Sequence, residues 1–231
     1  MKVSSILNEF SRTHNITDTM FVLDINSNML PSGFSKLNQV AGRTHILASS
    51  VNAIKYSKVS RKKWAKKDHN TEVSLKRKYH TWDYSDWPQF KVGPNDDIVK
   101  FGYQQKVTVE VPCMMNPNWV GRFYFMVQTN NKLADPNAFS RLYKDLTDIH
   151  YMLLQSSMEN LNPFLDYGLI KSADIAILYM MANGHDRESI AKAAHLSARG
   201  VDYRILKLKK LLGASNCSSL IHSAYNNFLI Q

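Results

Sequence analysis

Several features that mark secreted, metal-binding and phosphate-binding proteins are scarce in this sequence. Its 231 residues include only two cysteines, Cys113 and Cys217, which are too few for a disulfide framework, and neither lies at metal-ligand spacing from a second thiol or a histidine. The nine glycines form no phosphate-cradling loop, and there is no Gly-x-Ser-x-Gly nucleophile elbow. We therefore expect no metal site, no cofactor and no enzymatic activity.

Long apolar runs are also missing. No stretch approaches the roughly 18 residues that a membrane span needs, and the first residues lack the apolar core of a secretion signal. The composition, 44% hydrophobic and 21% charged, is ordinary for a globular protein. The sequence therefore predicts a cytoplasmic protein that has no membrane partner.

Positive charge is abundant and unevenly distributed. The formal net charge is +10, and residues 55–78 alone carry ten basic and two acidic side chains. Tyr56 and Trp64 lie within this basic segment, which is compatible with a nucleic-acid surface where bases stack on rings and phosphates meet lysines. Charge runs are more often solvated helix faces, and a surface that binds an acidic protein is a third interpretation, so all three stay open.

The last quarter of the chain has the clearest helical pattern. Ser197 is placed to cap a helix that Gly213 ends, and a shorter amphipathic helix, Arg187–Ala194, precedes it by only three residues. The predicted buried stripe consists of Val201, Ile205, Leu208 and Leu212, and the opposite face carries Arg199, Tyr203, Lys207 and Lys210. Two helices joined so tightly indicate a helix-turn-helix, whose second helix enters the DNA major groove.

Over Ile170–Ile230 the sequence resembles the LuxR-type (GerE-type) transcriptional regulators and keeps their spacing without a gap. The matching positions are Asp174, Ala182, Gly184, Ile190, Ala191, Leu196, Ser197, Val201, Leu212–Ala214, Asn216, Leu229 and Ile230. The resemblance implies an all-α four-helix DNA-binding domain at 170–231, double-stranded DNA as the partner, and a homodimer that pairs through the last helix. The predicted dimer residues on that helix are Leu220, Ile221, Tyr225 and Phe228.

The DNA contacts follow from this placement. Arg199, near the start of the second helix, is best placed for a base edge, and Tyr203 and Lys207 follow it along the groove. Leu206 is expected to touch a thymine methyl group. The predicted phosphate contacts are Arg204, Lys209 and Lys210.

Residues 1–155 have a mixed α/β pattern. Apolar residues at helical spacing from Val3 to Phe10 predict an opening helix, and residues 19–25 predict a strand. Residues 91–97 have loop composition, and residues 98–113 and 119–129 predict a β-hairpin. Asp135 and Pro136 then mark the start of a helix over 137–155. Small and polar residues at 156–168 have linker composition.

This block resembles the autoinducer-binding domain of the same family in the order of its elements. The resemblance implies a sensor at 1–155, built as an antiparallel sheet flanked by helices, a linker at 156–169, and Trp82 as a pocket residue. The lactone receptors of the family carry a Tyr where this chain has Asp68, and an Asp-Pro pair that is missing before Trp82. We therefore expect a small, largely apolar ligand other than an acyl-homoserine lactone, or no ligand. The candidate aromatic walls are Trp82, Tyr84, Trp87, Phe101, Tyr103, Phe123 and Phe125.

Two functions are compatible with these features. The first is a LuxR-type transcriptional regulator that does not use the usual acyl-homoserine lactone contacts. The second is an interaction protein, related to such regulators, that binds another regulator or an acidic partner and no longer reads DNA. Enrichment of one defined DNA site would separate them, since charge alone does not select a sequence.

Overall fold

The computed structural model describes residues 3–26, 40, 42–43, 45–88, 92–128 and 136–231. Of these, the residues up to Pro163 form one compact unit and those from Phe164 onward form a second. No helix within the described ranges has both the length and the apolar character that crossing a bilayer requires.

The first unit is built on an antiparallel sheet. Its strands are β1 (Asp18–Ile25), β2 (Leu47–Ala48), β3 (Tyr79–Thr81), β4 (Gln105–Pro112) and β5 (Trp119–Val127). They lie in the order β2-β1-β5-β4-β3, and every neighbouring pair is antiparallel. The predicted antiparallel sheet with flanking helices is therefore confirmed. The predicted strand at 19–25 and the hairpin partner starting at residue 119 are also present, as β1 and β5.

Helices cover both faces of this sheet. They are α1 (Val3–Thr13), α2 (Val51–Trp64), α3 (His69–Lys76), α4 (Pro94–Lys100) and α5 (Pro136–Leu161). Helices α1 and α5 pack on one face of the sheet. There Phe10 of α1 contacts Phe125, and His150 of α5 contacts Phe21, which also packs against Phe123. Helices α2 and α3 lie over the opposite face. The predicted opening helix is thus present as α1, and its apolar side is buried.

The segment predicted as a loop followed by a long strand is instead a helix and a shorter strand. Pro94 occupies the first turn of α4, and the Asp96 carboxylate accepts a hydrogen bond of 2.6 Å from the backbone N–H of Gly93. Proline at this position costs no hydrogen bond, and a carboxylate there satisfies an otherwise unpaired donor. Residues 94–100 therefore begin a helix, and the strand starts only at Gln105.

Helix α5 starts one residue earlier and ends later than the predicted 137–155. It runs from Pro136 to Leu161, with a break in helical geometry at Ser157, and a short helix, α6 (Pro163–Asp166), follows. Asp135, the predicted cap, lies outside the described residues. The linker at 156–169 and the domain bounds remain predictions.

Gly121 of β5 allows close packing between the sheet and α5. A Cβ at this position would lie 2.3 Å from Nδ1 of His150 and 3.0 Å from the ring of Phe21. The imidazole is buried, neither of its nitrogens has a hydrogen-bond partner among the described residues, and burial lowers the pKa of His150 to about 4. The ring is therefore neutral at pH 7 and packs as an apolar group.

We expect Gly121→Ala to lower the free energy of unfolding by about 1–3 kcal/mol, because the added methyl overpacks this contact. Chemical denaturation of the purified protein measures the change. His150→Ala removes the ring that the methyl would strike, so the double variant should lose less than the sum of the two single variants. Additive losses would show that the two residues do not conflict.

The second unit contains four further helices. They are α7 (Ser172–Ala182), α8 (Arg187–Ala193), α9 (Ala198–Leu212) and α10 (Cys217–Asn226). Ile177, Ile190, Ala191 and Val201 form a buried cluster between α7, α8 and α9. The Ser197 side chain accepts a 3.1 Å hydrogen bond from the backbone N–H of Gly200, and Gly213 ends α9 with a φ of +67°. Both predicted helix ends of α9 are therefore present.

Candidate functional site

The first unit encloses a cavity between the sheet and helices α2 and α3. The space between its lining side chains is about 590 Å³ when the part open to solvent is included, but only about 50 Å³ is wide enough for the centre of a water molecule, which is less than the roughly 300–1,000 Å³ typical of small-molecule sites. The floor comes from alternate residues of three strands, among them Met20, Lys106 and Tyr124. Tyr56 and Ser57 of α2 and Leu75 of α3 contribute to the roof.

Lys106 is the unusual residue of this cavity. Its side chain is buried, and Nζ lies 3.3 Å from the centre of the Trp82 ring, 5.1 Å from that of Tyr124 and 5.8 Å from that of Tyr56. No hydrogen-bond acceptor or carboxylate pairs with the amine among the described residues. Burial lowers the pKa of Lys106 to about 7, and Asp68 opposes this through space while Arg61 adds to it.

Trp82 is held firmly against this amine. Its indole Nε1 donates a 2.6 Å hydrogen bond to Oγ1 of Thr108, and its backbone N–H donates to the carbonyl oxygen of Lys106 at 2.9 Å. Both bonds join it to β4, the strand that carries Lys106. The ring over the amine is therefore fixed by the backbone and by its own polar atom.

Asp68 lies beside the cavity but does not line it. It caps α3, and its carboxylate accepts hydrogen bonds from the backbone N–H of Asn70 at 3.0 Å and from the hydroxyl of Tyr84 at 2.9 Å. Burial and the neighbouring Asp68 carboxylate raise the pKa of Tyr84. The tyrosine hydroxyl therefore remains protonated and keeps donating to Asp68.

A buried ion network lies on the same face of the sheet. Arg122 is fully buried, and its guanidinium donates to Asp24 at 3.2 Å, to Glu110 at 2.8 Å and to the carbonyl oxygen of Ser74 at 2.6 Å. Arg43 donates to the carbonyl oxygen of Leu23 at 2.6 Å. This network joins β1, β4 and β5 to helix α3, and it was not anticipated from the sequence.

The seven predicted aromatic wall residues do not lie together. Trp82 lines the cavity, and Tyr84 is half-buried beside it. Phe101 packs edge-on against Tyr56 at 5.7 Å, and Tyr103 is buried with its hydroxyl on Asp18 at 2.7 Å, but neither lines the cavity. Trp87 packs edge-on against Trp64 at 5.7 Å.

Phe123 and Phe125 lie on the wrong face of the sheet for the predicted role. Successive side chains of a strand point to opposite faces, so these two residues share a face with Phe21 and pack toward α1 and α5. Tyr124, between them, is the β5 aromatic residue that lines the cavity. Phe123 and Phe125 therefore do not line this cavity.

The basic segment at 55–78 forms most of α2 and α3. Nine of its ten cations are exposed, and Arg61 is half-buried at the cavity. Tyr56 points inward and is buried, while Nε1 of Trp64 donates to Asp97 at 2.7 Å. Tyr56 therefore offers no stacking surface to nucleic acid, and the exposed cations are compatible with a solvated helix face and with a surface for an acidic protein alike.

The second candidate site is the exposed face of α9. Arg199, Tyr203, Leu206, Lys207 and Lys210 are exposed, with Tyr203 at 70% and Leu206 at 53%. Val201 and Leu208 are buried on the other side, and Ile205 and Leu212 are half-buried. Lys209 is half-buried beside the exposed face.

Arg204 does not belong to this exposed set because it is half-buried, and its role as a phosphate contact stays a prediction. Its Nη1 lies 2.7 Å from a carboxylate oxygen of Asp174, a buried residue of α7. Asp174 also accepts the backbone N–H of Lys171 at 2.9 Å, so its charge is satisfied from two sides. The ion pair fixes α9 against α7 and leaves this guanidinium engaged within the unit.

Helix α10 divides the predicted dimer stripe into two parts. Leu220 and Ala224 are fully buried within the unit. Tyr225 is 46% exposed, and Ile221 and Phe228 are half-buried. Tyr225, Ile221 and Phe228 therefore lie outside the fully buried core of the unit.

No family model matches this sequence, and no curated protein matches it. Among solved structures, Escherichia coli SdiA is similar with a TM-score of 0.48 and 14% identity, over 100% of this chain and 93% of that one. SdiA in complex with octanoyl-rac-glycerol gives a TM-score of 0.49 and 11% identity, over 100% of this chain and 91% of that one.

Proposed function

We propose that this chain is a cytoplasmic transcriptional regulator of the LuxR type, with a helix-turn-helix in its second unit and a small-molecule cavity in its first. The observation that supports it most is the exposed face of α9. A guanidinium, two ammonium groups and a tyrosine stand on one side of a helix that is capped at both ends and follows α8 after a four-residue turn. That chemistry suits phosphates and base edges.

The internal ion pairs of the unit favour a fixed recognition helix. Asp202, the single acidic residue of α9, lies 2.6 Å from Arg187 of α8, so its negative charge is partly neutralised. The pair of Arg204 with the buried Asp174 joins α9 to α7, whereas the exposed pair of Arg187 and Asp202 contributes little to the packing of α9 on α8. We infer that Arg199 and Lys207 make the main DNA contacts and that the exposed part of α10 forms a homodimer. We propose no catalytic activity for this chain.

The double variant Arg199→Ala/Lys207→Ala is expected to weaken specific DNA binding by tenfold or more. One bidentate guanine contact contributes roughly 1–3 kcal/mol of discrimination, and each lost phosphate contact reduces the salt slope by about one. The probe is the sequence enriched by the purified protein from a random duplex library. A symmetric dimer should select two inverted half-sites about one helical turn apart.

The matched control is Arg141→Ala/Lys144→Ala, which removes the same charge from exposed positions of α5. Titrations at one salt concentration should show little change for this control. Equal weakening by both double variants would mean that net charge alone binds DNA, and failure to enrich any sequence would favour an interaction protein that does not read DNA.

A further inference from the structure

The charges that line the cavity all have one sign. Arg43, Arg61 and Lys106 line it, and no acidic side chain does so within the described part of the chain. Arg43 already donates to the Leu23 carbonyl oxygen and lies 3.7 Å from Asp24. Arg61 donates to the carbonyl oxygen of Ser57 at 3.4 Å. Each arginine therefore already donates to a backbone carbonyl oxygen of the protein.

Lys106 differs from the two arginines in its hydrogen bonding. An ammonium group has three donors, and the rings of Trp82, Tyr56 and Tyr124 offer it faces but no lone pair. The nearby Asp68 carboxylate is occupied by Asn70 and Tyr84. The cavity therefore contains a buried cation whose hydrogen-bonding capacity has no protein acceptor among the described residues.

The rest of the lining is apolar enough for an aliphatic chain. Met20, Val22, Ile46, Ala65 and Leu75 surround the same empty volume. We propose that the cavity binds a small amphiphile, an aliphatic chain with a carboxylate headgroup, and that the carboxylate pairs with Lys106. This inference rests on the proposed sensor role of the first unit and specifies the chemical class of its ligand.

Three probes with the same acyl chain and different headgroups test it: decanoate, methyl decanoate and N-decanoyl-homoserine lactone. Each is titrated into the full-length protein by calorimetry, below its micelle-forming concentration. Decanoate should bind at one per chain and at least tenfold more tightly than either neutral probe. Lys106→Met should remove this preference by weakening decanoate at least tenfold while leaving methyl decanoate unchanged or tighter. Lys58→Met, which removes an exposed lysine from α2, should change nothing.

The outcomes of these titrations test the carboxylate assignment separately from the sensor role. Neutral probes that bind as tightly as decanoate, or a decanoate preference that survives Lys106→Met, would overturn the carboxylate assignment and leave a sensor of neutral ligands. Absence of binding by all three probes would overturn the assignment and the sensor role together. DNA binding is measured in a separate experiment, and its result does not depend on the carboxylate assignment or on the sensor role.

Discussion

Replacing Arg122 by methionine is expected to lower the free energy of unfolding by about 3–5 kcal/mol, the range seen when one partner of a buried ion pair is removed. Arg122 is fully buried, and its loss would leave the carboxylates of Asp24 and Glu110 without their shared cation. It would also leave the Ser74 carbonyl oxygen without the 2.6 Å bond that joins α3 to the sheet. Urea denaturation, followed by circular dichroism, measures the change.

The matched control for this variant is Lys76→Met on α3. Lys76 pairs with Glu72 one helical turn earlier, and both side chains are largely exposed. Exposed pairs contribute little because water screens them, so the control should change the unfolding free energy far less than Arg122→Met. If the two variants lost similar amounts, the network around Arg122 would not be the connection between α3 and the sheet that we describe.

Local chemistry explains what the sequence predicted well. Ser197 and Gly213 were assigned as the ends of α9 because a hydroxyl cap and a left-handed glycine act within a few residues. The start of α4 was missed although Pro94 and Asp96 carry the same kind of signal that identified the start of α5. At the start of α4 the apolar residues Ile98 and Val99 favoured a strand, and only the structure shows that they lie in a helix.

The candidate site was harder to predict because burial of a second sheet face is not a local property. Along β4, the valines at 107, 109 and 111 alternate with Lys106, Thr108 and Glu110, which is the usual pattern of a strand with one solvated face. In the structure α2 and α3 cover that polar face, so Lys106 and Thr108 are buried and Glu110 pairs with Arg122. The alternation was visible in the sequence, but the covering layer was not.

The predicted DNA contacts on α9 also depend on a contact between residues that are distant in sequence. Periodicity separated the exposed face of α9 from its buried stripe, since both follow from one helix. It did not reveal that Arg204 pairs with Asp174, thirty residues away in sequence. Long-range ion pairs depend on how helices cross, which no spacing within α9 determines.

Replacing Lys106 by methionine is expected to stabilise the protein by about 3 kcal/mol near pH 6. A pKa of about 7 against an ordinary value of 10.5 corresponds to a penalty on the order of 5 kcal/mol for the buried charge, at roughly 1.4 kcal/mol per pKa unit. Ring contacts offset up to about 2 kcal/mol of that penalty. Methionine has a similar length and needs no hydrogen bonds, so it packs in the same space.

The pH dependence of stability distinguishes removal of the buried Lys106 charge from an effect of better packing alone. Between about pH 7 and the ordinary lysine value the unfolded chain binds more protons than the folded chain, so the stability of the unmodified protein rises with pH across that window. The advantage of Lys106→Met should therefore be largest below pH 7 and shrink as the pH rises. His150, whose pKa is lowered to about 4, titrates below this window and is common to both proteins.

Thermal melts of the Lys106→Met, Lys58→Met and unmodified proteins from pH 6 to pH 10 provide the measurement. A gain of about 3 kcal/mol corresponds to a rise of roughly 6–12 °C in Tm for a chain of this size. Lys58→Met should follow the unmodified protein at every pH, because its amine is solvated in both states. A constant gain across the series, or a loss, would mean that Lys106 is not a buried charge held at a cost. A gain that fades with pH would show that the Lys106 ammonium group is a buried charge held at a cost to stability.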